Sequence, residues 1–195
     1  MSTPPRRIAI FVSGTGSNAR VMIDRFQHHP DDGVEVVLLV SNRAAAPALQ
    51  MAAERGVPTL VLRRPTFYES EELLEQLAAL RVDAIVLAGF LWLIPPYLVR
   101  AFPDRIINIH PALLPKYGGK GMYGQHVHRA VHAAGETESG ITIHYVNERY
   151  DEGAFIRQER VPLEAGDGPE DIARRVLALE HRWYWETVRD ALTAP

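Results

Sequence analysis

The sequence predicts an α/β fold: a doubly wound, mostly parallel sheet with an antiparallel strand near the C-terminal part and a closing C-terminal helix. Three observations carry this prediction. Short continuous apolar runs alternate with helix-period segments through the first half, which is the pattern of parallel βαβ units. A glycine-rich turn joins the first apolar run to the first helical segment. A polar–apolar alternation, Gly140 to Val146, arises only in the second half and reads as a half-exposed strand.

The elements follow in order. Ile8 to Val12 is apolar throughout, as in a strand covered on both faces. Ser13 to Asn18 is the turn, and Asn18 to about His28 is a helix with Val21, Met22, Ile23 and Phe26 on one face. Val34 to Val40 is the second buried strand. Pro47 to Arg55 is a helix, with proline in its first turn and Gly56 past its end. Thr59 to Leu62 is a short strand. Glu69 to Leu80 is one helix, acidic at its start and apolar at Leu73, Leu74, Leu77 and Leu80. Ala84 to Ala88 and Arg105 to Ile109 are strands around a proline-started helix at about Pro95 to Phe102. A long loop, Pro111 to Gly124, precedes a helix at Gln125 to Ala134. Phe155 to Leu163 is a further strand, reached through the turn Asp151-Glu152-Gly153, and Asp171 to Ala191 is the closing helix.

No linker composition, repeat or low-complexity stretch divides the 195 residues. One domain is expected over 1–195, with Met1 to Arg7 as a flexible arm. Hydrophobic residues make up 47% and charged residues 23%, enough for an unstapled core and against whole-chain disorder. A net charge of −3 argues against a broad nucleic-acid or anionic-membrane surface. The absence of cysteine excludes disulfides, thiolate zinc sites, iron–sulfur clusters and thiol nucleophiles, and is compatible with the cytoplasm. The longest apolar run, Asp83 to Pro95, is interrupted at Gly89 and is too short for a membrane span. A soluble cytoplasmic protein, without nucleic-acid or membrane partners, is expected.

Ser13-Gly14-Thr15-Gly16-Ser17-Asn18 lies between strand and helix. Its glycines let backbone N–H groups approach an anion, and the helix start adds partial positive charge. The dinucleotide fingerprint lacks its third glycine, no acid follows the second strand, and no Gly-Lys-Ser/Thr completes a P-loop. A single phosphate is therefore the favoured ligand. The structural alternative is a tight turn capped by Ser17 or Asn18. In Asn108-Ile109-His110-Pro111, Asn108 and His110 are two apart and leave the same strand face. They stand at a carboxyl end of the sheet, where α/β folds bind ligands. His110 suits general acid–base work and Asn108 suits oxyanion donation. A purely structural pair is the alternative.

SGTGSN at Ser13 to Asn18, Ala88-Gly89-Phe90, NIHPALLPK at Asn108 to Lys116, and Asp151-Glu152-Gly153 occur in one order and spacing. Together they resemble the phosphoribosylglycinamide formyltransferase family over nearly the whole chain. The Asn-x-His-Pro-x-Leu-Leu-Pro segment by itself marks only the wider formyltetrahydrofolate-dependent superfamily. The resemblance implies a Rossmann-like formyltransferase fold. It implies formyl transfer from 10-formyltetrahydrofolate, the co-substrate, to the amine of 5-phosphoribosylglycinamide in purine (IMP) biosynthesis. The attack is direct, through a tetrahedral intermediate, with no metal, in a monomer or homodimer. It further implies Asn108, His110 and Asp151 as catalytic residues. Gly14, Thr15, Gly16, Ser17, Asn18 and Glu180 would hold the ribonucleotide. Leu91, Trp92, Leu93 and Ile94, with Asn108 and the loop Asn147, Glu148, Arg149, Tyr150 and Asp151, would hold the folate.

The resemblance has departures. Trp92 stands where the family often has arginine, a family arginine after the third strand has no clean counterpart, and the loop Tyr117 to Gln125 is longer and richer in glycine. A sugar amine formyltransferase, a formyltetrahydrofolate hydrolase and a non-catalytic phosphate- or folate-binding module stay open as alternatives. The module predicts that Asn108, His110 and Asp151 are not gathered in one cleft. His126, His128 and His132 lack the glutamate of a metalloprotease motif and read as a solvated helix face. His144 reads either as support for Asp151 or as a structural histidine.

Overall fold

The computed structural model describes residues 4–194. Its strands are β1 (Arg6–Val12), β2 (Val34–Ser41), β3 (Thr59–Val61), β4 (Ala84–Leu87), β5 (Ile106–His110), β6 (Glu138–Tyr145) and β7 (Phe155–Pro162). Its α-helices are α1 (Ser17–His28), α2 (Pro47–Glu54), α3 (Arg64–Glu69), α4 (Glu72–Ala79), α5 (Pro96–Ala101), α6 (Gln125–Ala133) and α7 (Pro169–Thr193). The strands form one sheet in the order β3-β2-β1-β4-β5-β6-β7. Pairings among β1 to β5 are parallel, and β6 runs antiparallel to both β5 and β7.

Alternation along β1 explains the three layers. Ile8, Ile10 and Val12 pack with α1, α2, α6 and α7 on one face. Ala9 and Phe11 pack on the other with Phe67, Leu73, Leu77 and Leu98 of α3 to α5. Both sets are buried, so the run has no polar position, as strands covered on both faces require. Helix α7 is fixed beneath the sheet by Tyr184. The Tyr184 hydroxyl reaches the carbonyl oxygens of Leu87 in β4 at 2.8 Å and Ile107 in β5 at 3.1 Å.

Strand order reverses between β1 and β4. The chain winds outward through β2 and β3, then returns to the other side of β1. Such a switch point opens a crevice at the strands' carboxyl ends. The loops after β1 and β4 meet there: Ser13 N–H donates to the Gly89 carbonyl at 3.0 Å, and Leu91 N–H donates to Ser13 Oγ at 2.9 Å.

The structure corrects four expectations. The arm ends earlier than residue 7, because Arg6 and Arg7 are paired in β1 with Val34 and Glu35; Met1 to Thr3 lie outside the described residues. The helix expected at Glu69–Leu80 starts later, as α4 at Glu72, and a separate helix not expected from the sequence, α3, precedes it; between them Ser70 takes an extended conformation (φ −137, ψ 165). Neither Ser17 nor Asn18 caps α1; the N-cap position is Gly16, with no side-chain cap. Strand β6 is not half-exposed. Ile141 and Ile143 face the core, while Thr142 on the other face is sealed by the loop after β5, its Oγ1 donating to the Ala112 carbonyl at 2.7 Å.

Candidate active site

A cleft of about 660 Å³ opens at the switch point. The glycine turn forms one end, the segment after β4 forms a wall, and Asn108, His110 and Asp151 form the other end. Of the candidate site residues, Gly14 to Asn18, Leu91 to Ile94, Asn108, His110, Arg149, Tyr150, Asp151 and Glu180 line the cleft. Asn147 and Glu148 are not among its lining residues. Asn147 Oδ1 instead accepts from the Arg149 backbone N–H at 2.9 Å, and Glu148 lies 3.9 Å from Arg100 on the surface.

The catalytic end is built by strand register. Asn108 and His110 leave one face of β5, and Asn108 lies directly opposite His144 on β6. Asn108 Nδ2 is 3.1 Å from His144 Nε2. His144 Nδ1 is 2.8 Å from the Tyr145 carbonyl. A carbonyl only accepts, so Nδ1 carries the proton. Nε2 then accepts from Asn108 when His144 is neutral, and donates toward Asp151 Oδ1, 3.6 Å away, when it is protonated. Asp151 adopts a left-handed conformation (φ 56) on the loop between β6 and β7. Gly153 holds that loop in place, since a Cβ there would lie 1.6 Å from the Tyr145 carbonyl oxygen.

Asp151 Oδ2 accepts from Gly119 N–H at 2.9 Å and lies 3.5 Å from His110 Nδ1. Burial pushes the Asp151 carboxyl up, but His144, His110 and the Gly119 N–H outweigh it and hold the group below the usual aspartate value. His110, 4% exposed, donates from Nε2 to the Tyr117 carbonyl at 2.8 Å. Burial lowers its pKa, and the opposing pull of Asp151 and the Tyr117 carbonyl does not restore it. The imidazole is therefore biased toward its neutral form, with the Nδ1 lone pair beside Asp151. Asp151 favours the charged ring, but the desolvation of a nearly inaccessible side chain outweighs it.

At the other end, Asn18 Nδ2 donates to Glu180 Oε2 at 2.6 Å. Burial raises the Glu180 pKa, against the smaller lowering by Asn18. Gly16 has φ +72, and a Cβ there would lie 2.6 Å from Ala48 Cβ, so both conformation and packing require glycine. Among the histidines of α6, His126 and His132 are exposed, but His128 is buried, with Nδ1 unpartnered. The solvated-face expectation fails for His128, which leaves the surface beside the core residues Val127 and Val131. No group of three or more potential ligands is arranged for a metal among the described residues.

Sequence reasoning missed Arg43 and the segment Gly119 to Gly124 as cleft-lining, and left His144 between two readings. Arg43 follows the second strand, the position where α/β folds present ligand groups, so its place was open to inference.

A formyl transferase family model matches residues 6–188. The chain is 46% identical to "Phosphoribosylglycinamide formyltransferase, chloroplastic" of Arabidopsis thaliana, over 96% of this chain and 66% of that protein. It is 36% identical to the phosphoribosylglycinamide formyltransferase of Haemophilus influenzae, over 92% of this chain and 84% of that protein. The chain thus spans about two thirds or less of its plant relatives' length, 60% for that of Vigna unguiculata. Among solved structures, phosphoribosylglycinamide formyltransferase from Bacillus halodurans matches with TM-score 0.86 and 35% identity, covering 97% of this chain and 96% of the other. Glycinamide ribonucleotide transformylase 1 from Symbiobacterium toebii matches with TM-score 0.85 and 36% identity, covering 95% and 86%.

Proposed function

The chain belongs to the formyl transferase family, and we propose that it transfers a formyl group from 10-formyltetrahydrofolate to the amine of 5-phosphoribosylglycinamide. The observation that carries the reading is the two-ended cleft. Asn108, His110 and Asp151 converge at one end, and an uncapped glycine turn suited to a phosphate lies at the other. The folate would lie along Leu91 to Ile94, whose backbone is tied to the turn through Ser13. The relatives are phosphoribosylglycinamide formyltransferases, which supports the acceptor and the group transferred. A cytoplasmic setting and a single domain belong to the proposal; no helix of the described residues is long and apolar enough to cross a membrane.

The residues divide the chemistry as follows. Asn108 has one Nδ2 hydrogen engaged by His144 and one left for the oxyanion that forms when the amine attacks the formyl carbon. A lost oxyanion donor typically costs about 2.7–4 kcal/mol of barrier. His110, neutral before attack, offers Nδ1 to the proton the amine sheds and can pass it to the departing folate nitrogen. Asp151 stabilises the imidazolium that exists between those two transfers. Glu180 and Asn18, bonded to each other at the glycine-turn end of the cleft, suit the ribose hydroxyls next to the phosphate. Holding both substrates in attack geometry can supply roughly 7–11 kcal/mol.

The test is formyl transfer from 10-formyltetrahydrofolate to the ribonucleotide, with methionyl-tRNA and amino sugars as competing acceptors. Transfer to the ribonucleotide alone is expected. Preference for an amino sugar would replace the acceptor, and binding without transfer would reduce the protein to a binding module.

A further inference from the structure

We propose that Arg43 is the cation that closes the anion seat at the glycine turn, and that it selects a phosphorylated acceptor over an unphosphorylated one. The inference rests on the ribonucleotide reading above and names the residue that recognises its phosphate.

The seat is incomplete without it. The first-turn N–H groups of α1 have no carbonyl a turn behind them, and no side chain caps them. They and the helix dipole supply about half a positive charge. A phosphate monoester carries about −1.5 to −2 at neutral pH. Most of that charge needs a further partner. Asn18, 8% exposed, lines the cleft with Oδ1 unpartnered, its amide nitrogen already given to Glu180. An unpaired acceptor there calls for a donor on the ligand, as a ribose hydroxyl beside the phosphate provides.

Arg43 fits the missing role by position and by freedom. It lines the same cleft, and no carboxylate lies within ion-pair distance of it among the described residues. Arg149, also cleft-lining, is engaged by Glu152 at 3.2 Å. The Arg43 backbone is preset: its N–H donates to Ser41 Oγ at 3.1 Å, and that hydroxyl reaches its carbonyl at 3.2 Å. The segment it begins packs on the glycine turn. Ala48 N–H donates to the Gly14 carbonyl at 3.4 Å, and Ala48 occupies the space a Gly16 side chain would need. Lys120 lines the cleft too, but follows Gly119, whose N–H is bonded to Asp151, and so belongs to the catalytic end. A guanidinium forks onto two phosphate oxygens, which a lone ammonium cannot do.

The experiment compares two acceptors, the ribonucleotide and its dephosphorylated riboside, in wild type, Arg43→Met and Arg43→Lys. Arg43→Met should raise KM for the ribonucleotide about 10- to 100-fold, the range for losing a hydrogen bond to a charged group, with kcat changed by less than about threefold. KM for the riboside should not move. Arg43→Lys should recover part of the loss. In thermal melts without either substrate, inorganic phosphate should protect wild type and not Arg43→Met. Equal loss with both acceptors, or no loss with either, overturns the assignment. A wild type inert toward the ribonucleotide, yet protected by phosphate only when Arg43 is present, would sink the substrate reading and leave Arg43 as the anion ligand.

Discussion

Two glycines of the turn separate packing from binding. At Gly16 an alanine must hold φ near +72 and place Cβ 2.6 Å from Ala48 Cβ. The left-handed conformation costs about 1–2 kcal/mol, and overpacking against a buried neighbour costs about 1–3 kcal/mol. Gly16→Ala should therefore lose about 2–5 kcal/mol of stability. In a chain of this size that lowers Tm by roughly 4–20 °C. At Gly14 a Cβ meets nothing within 4 Å, and the backbone is outside the left-handed region. Gly14→Ala should leave stability unchanged or raise it by about 0.4–1 kcal/mol, through the less flexible unfolded chain. Its methyl points into the open space the anion would fill. KM for the ribonucleotide should rise at least about tenfold, about 1.4 kcal/mol. Urea unfolding with and without inorganic phosphate, beside steady-state kinetics, reads both quantities. Wild-type stability in Gly16→Ala would refute the packing argument. Unchanged ribonucleotide KM and phosphate protection in Gly14→Ala would mean that the turn does not seat the anion.

Three further outcomes follow from the same geometry. His110→Ala should cut kcat at least about a hundredfold while its circular-dichroism melt stays cooperative; near-normal turnover would remove His110 from the chemistry. Asp151→Asn removes a carboxylate that raises the His110 pKa, so the acidic limb of the kcat/KM profile, where the neutral base is lost to protonation, should move to lower pH, and an unmoved limb would leave Asp151 a loop residue. Glu180 is raised above 4.5 by burial, so its contribution to stability is full below that value and declines as pH rises through the folded value. Glu180→Gln should therefore gain Tm over wild type more at pH 8 than at pH 4, while raising KM for the ribonucleotide; an offset equal at both pH values would contradict the shift.

The parallel half of the fold was legible because strands buried on both faces cannot hide their composition. Ile8 to Val12, Val34 to Val40 and Ala84 to Leu87 have no polar residue that would suit an exposed face, except Glu35 near an end. The break between α3 and α4 was not legible in the same way. Leu73 and Leu77 keep a helical spacing that continues the apparent pattern back through Glu69, but Ser70 turns its hydroxyl to the Thr66 carbonyl at 3.0 Å and takes an extended backbone. A side chain that competes locally for backbone groups ends a helix without altering its hydrophobic period. Strand β6 failed for a different reason. Its alternation is real, but alternation reports polarity, and polarity equals exposure only where no loop covers the polar face. Here the Leu114 N–H and the Gln158 amide both donate to Thr142 Oγ1, so the polar row is buried and satisfied.

The site divides along the same line between local and register-dependent information. Asn108 and His110 share a face because they are two apart on one strand, which any reader of the sequence can count. Asp151 and His144 reach them by pairing. The antiparallel addition of β6 sets His144 opposite Asn108, and the following loop returns Asp151 to within 3.6 Å of both imidazoles. A shift of that pairing by one residue would turn His144 to the opposite face and leave Asn108 facing an apolar neighbour, since Ile143 and Tyr145 flank it. Register is held by the burial of Ile141 and Ile143 on one face and of Thr142 against Ala112 on the other. The proton inventory of the cleft thus depends on core packing some distance from it. His144 keeps its proton on Nδ1 only because the Tyr145 carbonyl lies 2.8 Å away, and that tautomer orients the Asn108 amide toward the space where an oxyanion would form.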